Sequence, residues 1–160
     1  MLPPNVDRQQ FCRVCAKFAT GVTVATVIDG DGEPHGITVN SFTSVSLVPP
    51  LVLFCVDHRT RLLGFFRAAK HFGINILAEQ QQAISQRFAR SDRDRLQGVE
   101  WHAGRTGVPL LAGVLASLEC ELTKHIPAGD HDILIGEVIE LHAREGKPLI
   151  FFGSEYKKLE

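Results

Sequence analysis

An uncharged row of hydroxyl and amide side chains is the part of this sequence best suited to binding chemistry. It lies in GITVNSFTSVSL, residues 36–47, whose two ends alternate apolar and polar residues as half-buried strands do. Its members are Asn40, Ser41, Thr43, Ser44 and Ser46. Buried polar groups need hydrogen-bond partners, and a polyol or a phosphate would supply them. Arg59 and Thr60 follow the next apolar segment and would add a cation beside a helix start.

The glycines before this row imitate a dinucleotide-binding fingerprint. The three glycines between residues 30 and 36 follow a predicted strand, but Pro34 and a β pattern stand where a true fingerprint opens a helix. The acidic residues between positions 29 and 33 would also repel a pyrophosphate. We therefore interpret residues 29–32 as a hairpin turn.

Cysteine and histidine residues do not form a recognisable metal or redox motif. Cys12 and Cys15 form a Cys-x-x-Cys pair, but the sequence has no second pair or matching histidine pair at ligand spacing. Cys15 shares a helical face with apolar residues, which favours a role in the core. His125, His131 and His142 are not at the spacing of a known ligand set. We predict no metal site, and no serine-hydrolase elbow or phosphate loop is present.

Composition predicts one globular domain over residues 1–160. The chain has 44% hydrophobic and 22% charged residues with a net charge of -1, which provides no basic surface for nucleic acid. We see no secretory signal at the N-terminus, and the uncharged span 36–56 is too rich in hydroxyls and proline for a membrane helix. Four scattered cysteines favour reduced thiols. A cytoplasmic protein without membrane or nucleic-acid partners is expected.

The elements that must position the hydroxyl row are mostly strands. Strands are predicted at 22–28, 51–56, 72–77, 113–123, 133–141 and 148–152, with residues 36–47 as the hairpin partner of 22–28. Helices are predicted at 11–18, 60–70 and 79–90, and a long connection at 91–109. Strand–helix–strand alternation is absent, so the sequence predicts a mainly β protein: a small antiparallel β-barrel with peripheral helices.

Five segments of the sequence, in this order and at these distances, resemble the flavin reductase family. They are FATGVTVAT, HGITVNSFTSVSLVPPLVLFCVD, FGINILAEQQ, QRFAR and GDHDILIGEV, and the resemblance runs from about Phe18 to Tyr156. Members of this family are the small reductase components of two-component flavin-dependent monooxygenases. The resemblance implies an FMN-binding split barrel of antiparallel Greek-key type, usually a homodimer. It also implies that NADH or NADPH reduces FMN or FAD by hydride transfer, and that a separate monooxygenase receives the reduced flavin.

The resemblance also implies the site residues. His131, in the Gly-Asp-His motif, is expected on the nicotinamide side. Flavin-binding positions are expected at Thr38, Asn40, Ser41, Ser44, Val45, Ser46, Cys55, Asp57, Arg59, Thr60, Phe88 and Arg90. Because the cofactors supply the hydride chemistry, the absence of a catalytic triad does not count against this function.

Several alternatives stay open at the level of sequence. One is a split-barrel carrier or sensor that holds flavin or haem without turnover. Another is an oxidase of a small amine such as a pyridoxal precursor, which would need basic residues for a substrate phosphate where only His131 is present. The sequence does not distinguish FMN from FAD, NADH from NADPH, or a tightly bound flavin from a diffusing one.

Overall fold

The computed structural model describes residues 1–90 and 96–160. In chain order, its strands are β1 (Thr20–Gly21), β2 (Thr23–Ile28), β3 (Pro34–Val39), β4 (Thr43–Leu47), β5 (Pro50–Asp57), β6 (His71–Ile76), β7 (Trp101–Ala103), β8 (Pro109–Leu111), β9 (Ala116–Ala128), β10 (His131–Ala143), β11 (Ile150–Phe152) and β12 (Glu155–Lys157). The helices are α1 (Arg8–Cys15), α2 (Leu62–Ala68) and α3 (Gln82–Phe88), with a 3-10 turn at Glu79–Gln81.

Seven of these strands form one sheet in the order β3-β2-β6-β9-β10-β5-β4. Every neighbouring pair in it is antiparallel. A second sheet has the order β1-β11-β12, and β7 and β8 form a hairpin within the predicted long connection. Part of that connection, residues 91–95, lies outside the described residues. The prediction of a mainly antiparallel β fold is confirmed.

The main sheet must curl, because its two edge strands are close neighbours in the chain. Strands β3 and β4 lie at opposite edges, but only residues 40–42 separate them. A flat sheet of this width would hold its edges about 29 Å apart, whereas this connection spans at most about 14 Å. The edges therefore approach each other, as a barrel requires. The prediction that 36–47 is a single hairpin partner of 22–28 is wrong in part: β3 pairs with β2, but β4 pairs with β5.

Two clusters of buried apolar side chains hold the helices against the sheet. In the first, the rings of Phe54, Phe66 and Phe72 meet edge to face, with centroids 5.1 to 6.5 Å apart. Phe66 belongs to α2, so this packing fixes α2 on the sheet. In the second, Phe88 at the end of α3 packs with apolar residues that include Val22 and Leu149. Helix α2 and the end of α3 are therefore each held on the sheet by a different cluster of apolar side chains.

Helix α1 does not pack as the sequence predicts. The apolar face of the predicted helix 11–18 is expected to enter the core, but Phe11, Val14 and Phe18 are 59%, 65% and 79% exposed, and Phe18 lies beyond the end of α1. Cys15 is exposed as well, so the predicted core role for it is wrong in the single chain. The pattern identifies an apolar face without identifying the surface that covers it. None of the helices in the described ranges is long and apolar enough to span a bilayer.

Candidate active site

A cavity of about 410 Å³ opens between the end of β5 and the end of α3. Its walls include five of the predicted flavin-binding residues, which are Asp57, Arg59, Thr60, Phe88 and Arg90. Gly36 and Leu62 also contribute. A Cβ atom at Gly36 would come within 3.2 Å of the Phe88 ring, so glycine keeps this wall open. Two arginines, a carboxylate and a hydroxyl therefore surround a space of ligand size.

The turn after β5 shapes the cationic side of this cavity. The Asp57 carboxylate accepts hydrogen bonds from the Arg59 backbone N–H at 2.8 Å and from the Arg59 guanidinium at 2.6 to 3.1 Å. These bonds hold the pKa of the Asp57 carboxyl well below its usual value and raise the pKa of Arg59. Thr60 Oγ1 accepts from the Leu62 N–H at 3.3 Å, at the start of α2. Asp57 thus holds the Arg59 guanidinium at the edge of the cavity.

A smaller cavity of about 160 Å³ carries the uncharged donors. It is lined by Val22, Thr38, Asn40, Ser85, Phe151 and Tyr156. Thr38 Oγ1 donates to the Ser85 carbonyl at 2.6 Å, and the Ser85 and Tyr156 hydroxyls lie 2.8 Å apart. Sequence reasoning found Thr38 and Asn40 but missed Ser85 and Tyr156. Ser85 is the hydroxyl residue on the buried face of α3, and Tyr156 is the single tyrosine of the chain. The sequence shows both residues, but no pattern in it places either one beside Thr38 and Asn40.

The other members of the hydroxyl row do not line either cavity. Ser41 Oγ accepts the Cys55 backbone N–H at 2.9 Å, which joins the β3–β4 connection to β5. Ser44, Val45 and Ser46 lie on β4, where the pairing register with β5 shifts between the two serines. Such bulges are frequent beside active sites. The structure therefore brings Ser41 and Cys55 together, whereas Ser44 to Ser46 lie on an exposed edge strand.

His131 lies beside the larger cavity without lining it. It is the residue opposite Asp57 in the β5–β10 pairing, so the Gly-Asp-His turn adjoins the Asp57–Arg59 turn. Its Nδ1 is 2.6 Å from Asp130 Oδ1, and this contact lowers the pKa of Asp130. The His131 side chain is 42% exposed.

A buried carboxylate braces both turns, and sequence reasoning missed it. Asp132 accepts two hydrogen bonds of 2.8 Å from Arg67 of α2, and its Oδ1 is 2.8 Å from His58 Nε2. His125 Nδ1 lies 3.4 Å from Asp132 Oδ2. The Arg67 bonds lower the pKa of Asp132 to about 2 against the effect of burial, and His58 adds to this. A charged residue at a buried position of β10 was the available signal.

Replacing Asp132 by asparagine is expected to destabilise the fold. The change leaves Arg67 and two histidines without their common anion, and at pH 7 we expect the Tm to fall by on the order of 10 °C. The lowered pKa makes the contribution of Asp132 complete above the ordinary value of 3.8, and it disappears as the pH falls through about 2. Thermal unfolding from pH 7 to pH 2 should show the two Tm values converging at the acid end. Asp31→Asn, at an exposed turn position, is the control, and an equal effect there would contradict this role.

The fold and the cavities together define a small antiparallel split barrel with a cleft lined by two arginines. The chain belongs to the flavin reductase family: the family model described as "Flavin reductase like domain" matches residues 15–160. This result confirms the resemblance seen in the sequence. It also favours reductase function over the carrier and amine-oxidase alternatives.

Individual relatives are similar over nearly the whole chain. The reductase subunit of a flavin-dependent monooxygenase from Rhodococcus jostii is 39% identical over 156 residues, covering 97% of this chain and 80% of that protein. An FMN reductase (NADH) from Agrobacterium fabrum is 39% identical over 155 residues, covering 97% and 88%. The solved structure of a Streptomyces globisporus NADH:FAD oxidoreductase, in complex with NAD and FAD fragments, has a TM-score of 0.92 at 38% identity, covering 100% and 96%. The split-barrel fold is therefore shared.

Proposed function

We infer that this protein is an NAD(P)H-dependent flavin reductase, an oxidoreductase that reduces FMN or FAD. The observation that carries this conclusion is the joining of Arg59, Thr60, Phe88 and Arg90 around one cavity, with His131 at its side. Family membership over residues 15–160 supports the same reaction.

The donor set fits a flavin. Arg59, Arg90 and Thr60 offer two cations and a hydroxyl to a phosphate. In the smaller cavity, Thr38 and Asn40 offer uncharged groups of the kind that bind a polyol such as the ribityl chain. Ser41 and Cys55 are hydrogen-bonded to each other and brace the connection that carries Asn40. We propose that these residues, with Asp57 positioning Arg59, hold the flavin.

Hydride transfer requires the protein to position the two reacting rings and to exclude water from the site. A flavin held in this site would supply the hydride acceptor for a nicotinamide, so the protein must hold the two groups in contact. The Phe88 side chain is 2% exposed and Leu62 is 3% exposed, so the cavity wall behind the ligand excludes water. We propose that His131 contacts the nicotinamide and holds it against the flavin.

We propose that the protein acts as a homodimer that covers the β4 edge. Leu47 and Val48, at the tip of the β4–β5 hairpin, are 91% and 92% exposed, and Val45 is 48% exposed. An edge strand with exposed apolar side chains is normally covered in solution. Ser44, Val45 and Ser46 lie on this edge, so a second copy would enclose the flavin-binding positions that the single chain leaves open.

The variant Leu47→Asp is expected to convert the dimer to a monomer, because it places a charge in the apolar contact. Light scattering after gel filtration measures the mass, and flavin affinity should fall in parallel. Leu159→Asp alters an exposed leucine near the C-terminus, 51% exposed, and should leave the mass unchanged. A monomeric wild type, or a Leu47→Asp protein that remains dimeric, would contradict the proposal.

A monooxygenase is the proposed recipient of the reduced flavin. The similar protein from Rhodococcus jostii is the reductase subunit of a flavin-dependent monooxygenase, and a relative from Rhizobium meliloti is the reductase subunit of a stachydrine N-demethylase. We also propose a cytoplasmic location, which the four unpaired cysteines support, since reduced thiols are typical of that compartment.

Steady-state oxidation of NADH and of NADPH, each with FMN and with FAD, tests the proposed function. At least one combination should be turned over, and the visible spectrum of the purified protein shows whether flavin remains bound. Flavin binding without oxidation of either nicotinamide would defeat the proposal and favour a carrier or sensor.

A further inference from the structure

His58 lies at the centre of the turn that follows β5, but it does not share the contacts of its neighbours. Of the described residues, those that line the 410 Å³ cavity include Asp57, Arg59 and Thr60 but not His58. The His58 imidazole instead reaches β10, where its Nε2 lies 2.8 Å from Asp132 Oδ1. His58 therefore belongs to the turn that carries the cavity residues without forming part of the cavity wall.

Two hydrogen bonds from His58 end on either side of His131. The His58 backbone N–H donates to the Asp130 carbonyl at 2.9 Å, and the His58 side chain bonds to Asp132. The pKa of the Asp132 carboxyl is about 2, so the group is ionised at neutral pH and can only accept. His58 Nε2 is therefore the donor. One residue of the Arg59 turn thus holds both chain neighbours of His131.

The acceptor carboxylate at Asp132 is itself firmly held. Asp132 is fully buried and lies opposite Val56 in the β5–β10 pairing. Arg67 of α2 donates two hydrogen bonds of 2.8 Å to it. Because successive residues of a strand face opposite sides of the sheet, Asp132 faces the core and His131 faces the other way. A hydrogen bond to a carboxylate fixed in this way orients the His58 ring and the turn that carries it.

We propose that His58 is a positioning residue that sets the separation between Arg59 and His131, and so between the flavin phosphate and the nicotinamide ring. The proposal rests on the proposed function for the roles of Arg59 and His131. His58 touches neither ligand, and its two bonds keep the turn after β5 and the Gly-Asp-His turn in one relative position. A fixed separation matters because hydride transfer depends steeply on the placement of donor and acceptor.

The variant His58→Ala tests the proposal, because it removes the side-chain bond and keeps the backbone bond. It should weaken FMN binding about five- to tenfold and lower kcat/KM for the nicotinamide by a similar factor. Riboflavin lacks the phosphate, so its affinity should change by less than about twofold. His58→Gln keeps a side-chain N–H donor and should recover most of both losses. Isothermal titration and steady-state kinetics measure these constants, and circular dichroism and Tm establish that each variant is folded.

The matched control is His125→Ala. His125 also contacts Asp132, with its Nδ1 3.4 Å from Oδ2, and its side chain is about as exposed as that of His58. It comes from β9, however, and belongs to neither turn. His125→Ala should therefore leave both constants within about twofold of the wild type. Equal losses in the two histidine variants would show that the charge balance around Asp132 sets the constants, and this result would overturn the proposal.

Double-mutant cycles separate positioning from general destabilisation. If His58 acts on the phosphate through Arg59, His58→Ala should change FMN affinity by less than about twofold in an Arg59→Ala background. Its effect on kcat/KM for the nicotinamide should likewise nearly disappear in a His131→Ala background. Equal effects of His58→Ala with and without these partners, or a loss in only one of the two constants, would overturn the proposal.

Failure of this proposal is distinguishable from failure of the proposed function. A wild type that oxidises NADH or NADPH, with a His58→Ala variant whose constants are unchanged, would overturn the role of His58 alone. A wild type that oxidises neither nicotinamide would contradict the proposed function and, with it, the paired roles on which the positioning by His58 rests.

Discussion

Arg59→Ala is expected to weaken FMN binding by about ten- to a hundredfold while leaving riboflavin binding nearly unchanged. The size follows from the loss of charge-assisted hydrogen bonds to a phosphate. Arg59 is suited to this role because Asp57 holds its guanidinium through bonds of 2.6 to 3.1 Å at the edge of the 410 Å³ cavity. Riboflavin lacks the phosphate, so its affinity reports on the remainder of the site.

The control for this variant is Arg61→Ala. Arg61 is two residues away, and its guanidinium carbon lies 6.0 Å from the centre of the Phe65 ring, outside the cavity lining. Isothermal titration with FMN and riboflavin measures each constant. Equal losses for both ligands would mean that Arg59 maintains the turn rather than binding the phosphate, and equal effects of the two arginine variants would rule out a specific contact.

His131→Ala is expected to lower kcat/KM for the nicotinamide by tenfold or more, with flavin affinity changed by less than about threefold. Misplacement of the hydride donor by about 1 Å is enough to cost up to about a hundredfold in rate. His131 lies opposite Asp57, a residue of the cavity wall, and its side chain is 42% exposed. It therefore has access to a second ring without forming the wall that holds the first.

The matched control is His102→Ala, at an exposed position of the β7–β8 hairpin. Steady-state kinetics with varied nicotinamide and a separate flavin titration give the two quantities for each variant. Parallel losses of turnover and flavin binding in His131→Ala would contradict the role proposed for this histidine.

Much of the fold was predictable because local patterns determine it. The β-branched run in β2 and the apolar run in β5 were placed within about two residues of their observed bounds. The pairing of β4 with β5 rather than with β2 was not predicted, because the two halves of residues 36–47 alternate in the same way and the pattern does not show that they are separate strands. That pairing places the two halves of residues 36–47 at opposite edges of the sheet.

The candidate site was predictable in its residue types and incomplete in its assembly. The resemblance identified Arg59, Phe88 and Arg90, and the structure brings these around one cavity. Ser85 and Asp132 were missed because their importance depends on contacts with Tyr156 and Arg67, which are distant in sequence. A sequence pattern records the spacing of residues along one element, whereas such contacts arise only when elements pack.

Surface apolar residues were the least predictable feature. The face of α1 and the hairpin tip at Leu47 both look like core by composition, but they are exposed in the single chain. Hydrophobicity indicates that a surface will be covered without indicating which molecule covers it. The proposed homodimer accounts for the hairpin tip, and the mass of the Leu47→Asp variant tests that explanation.

The central claim is that this chain alone passes a hydride from a nicotinamide to a flavin. Anaerobic mixing of the purified protein and FAD with NADH, compared with NADH deuterated at the transferred C4 position, tests it most directly. We predict that the oxidised-flavin absorbance disappears with one NADH consumed per flavin, and that deuterium slows this loss. A flavin that is bound by the protein but remains oxidised in the presence of both NADH and NADPH would contradict the account.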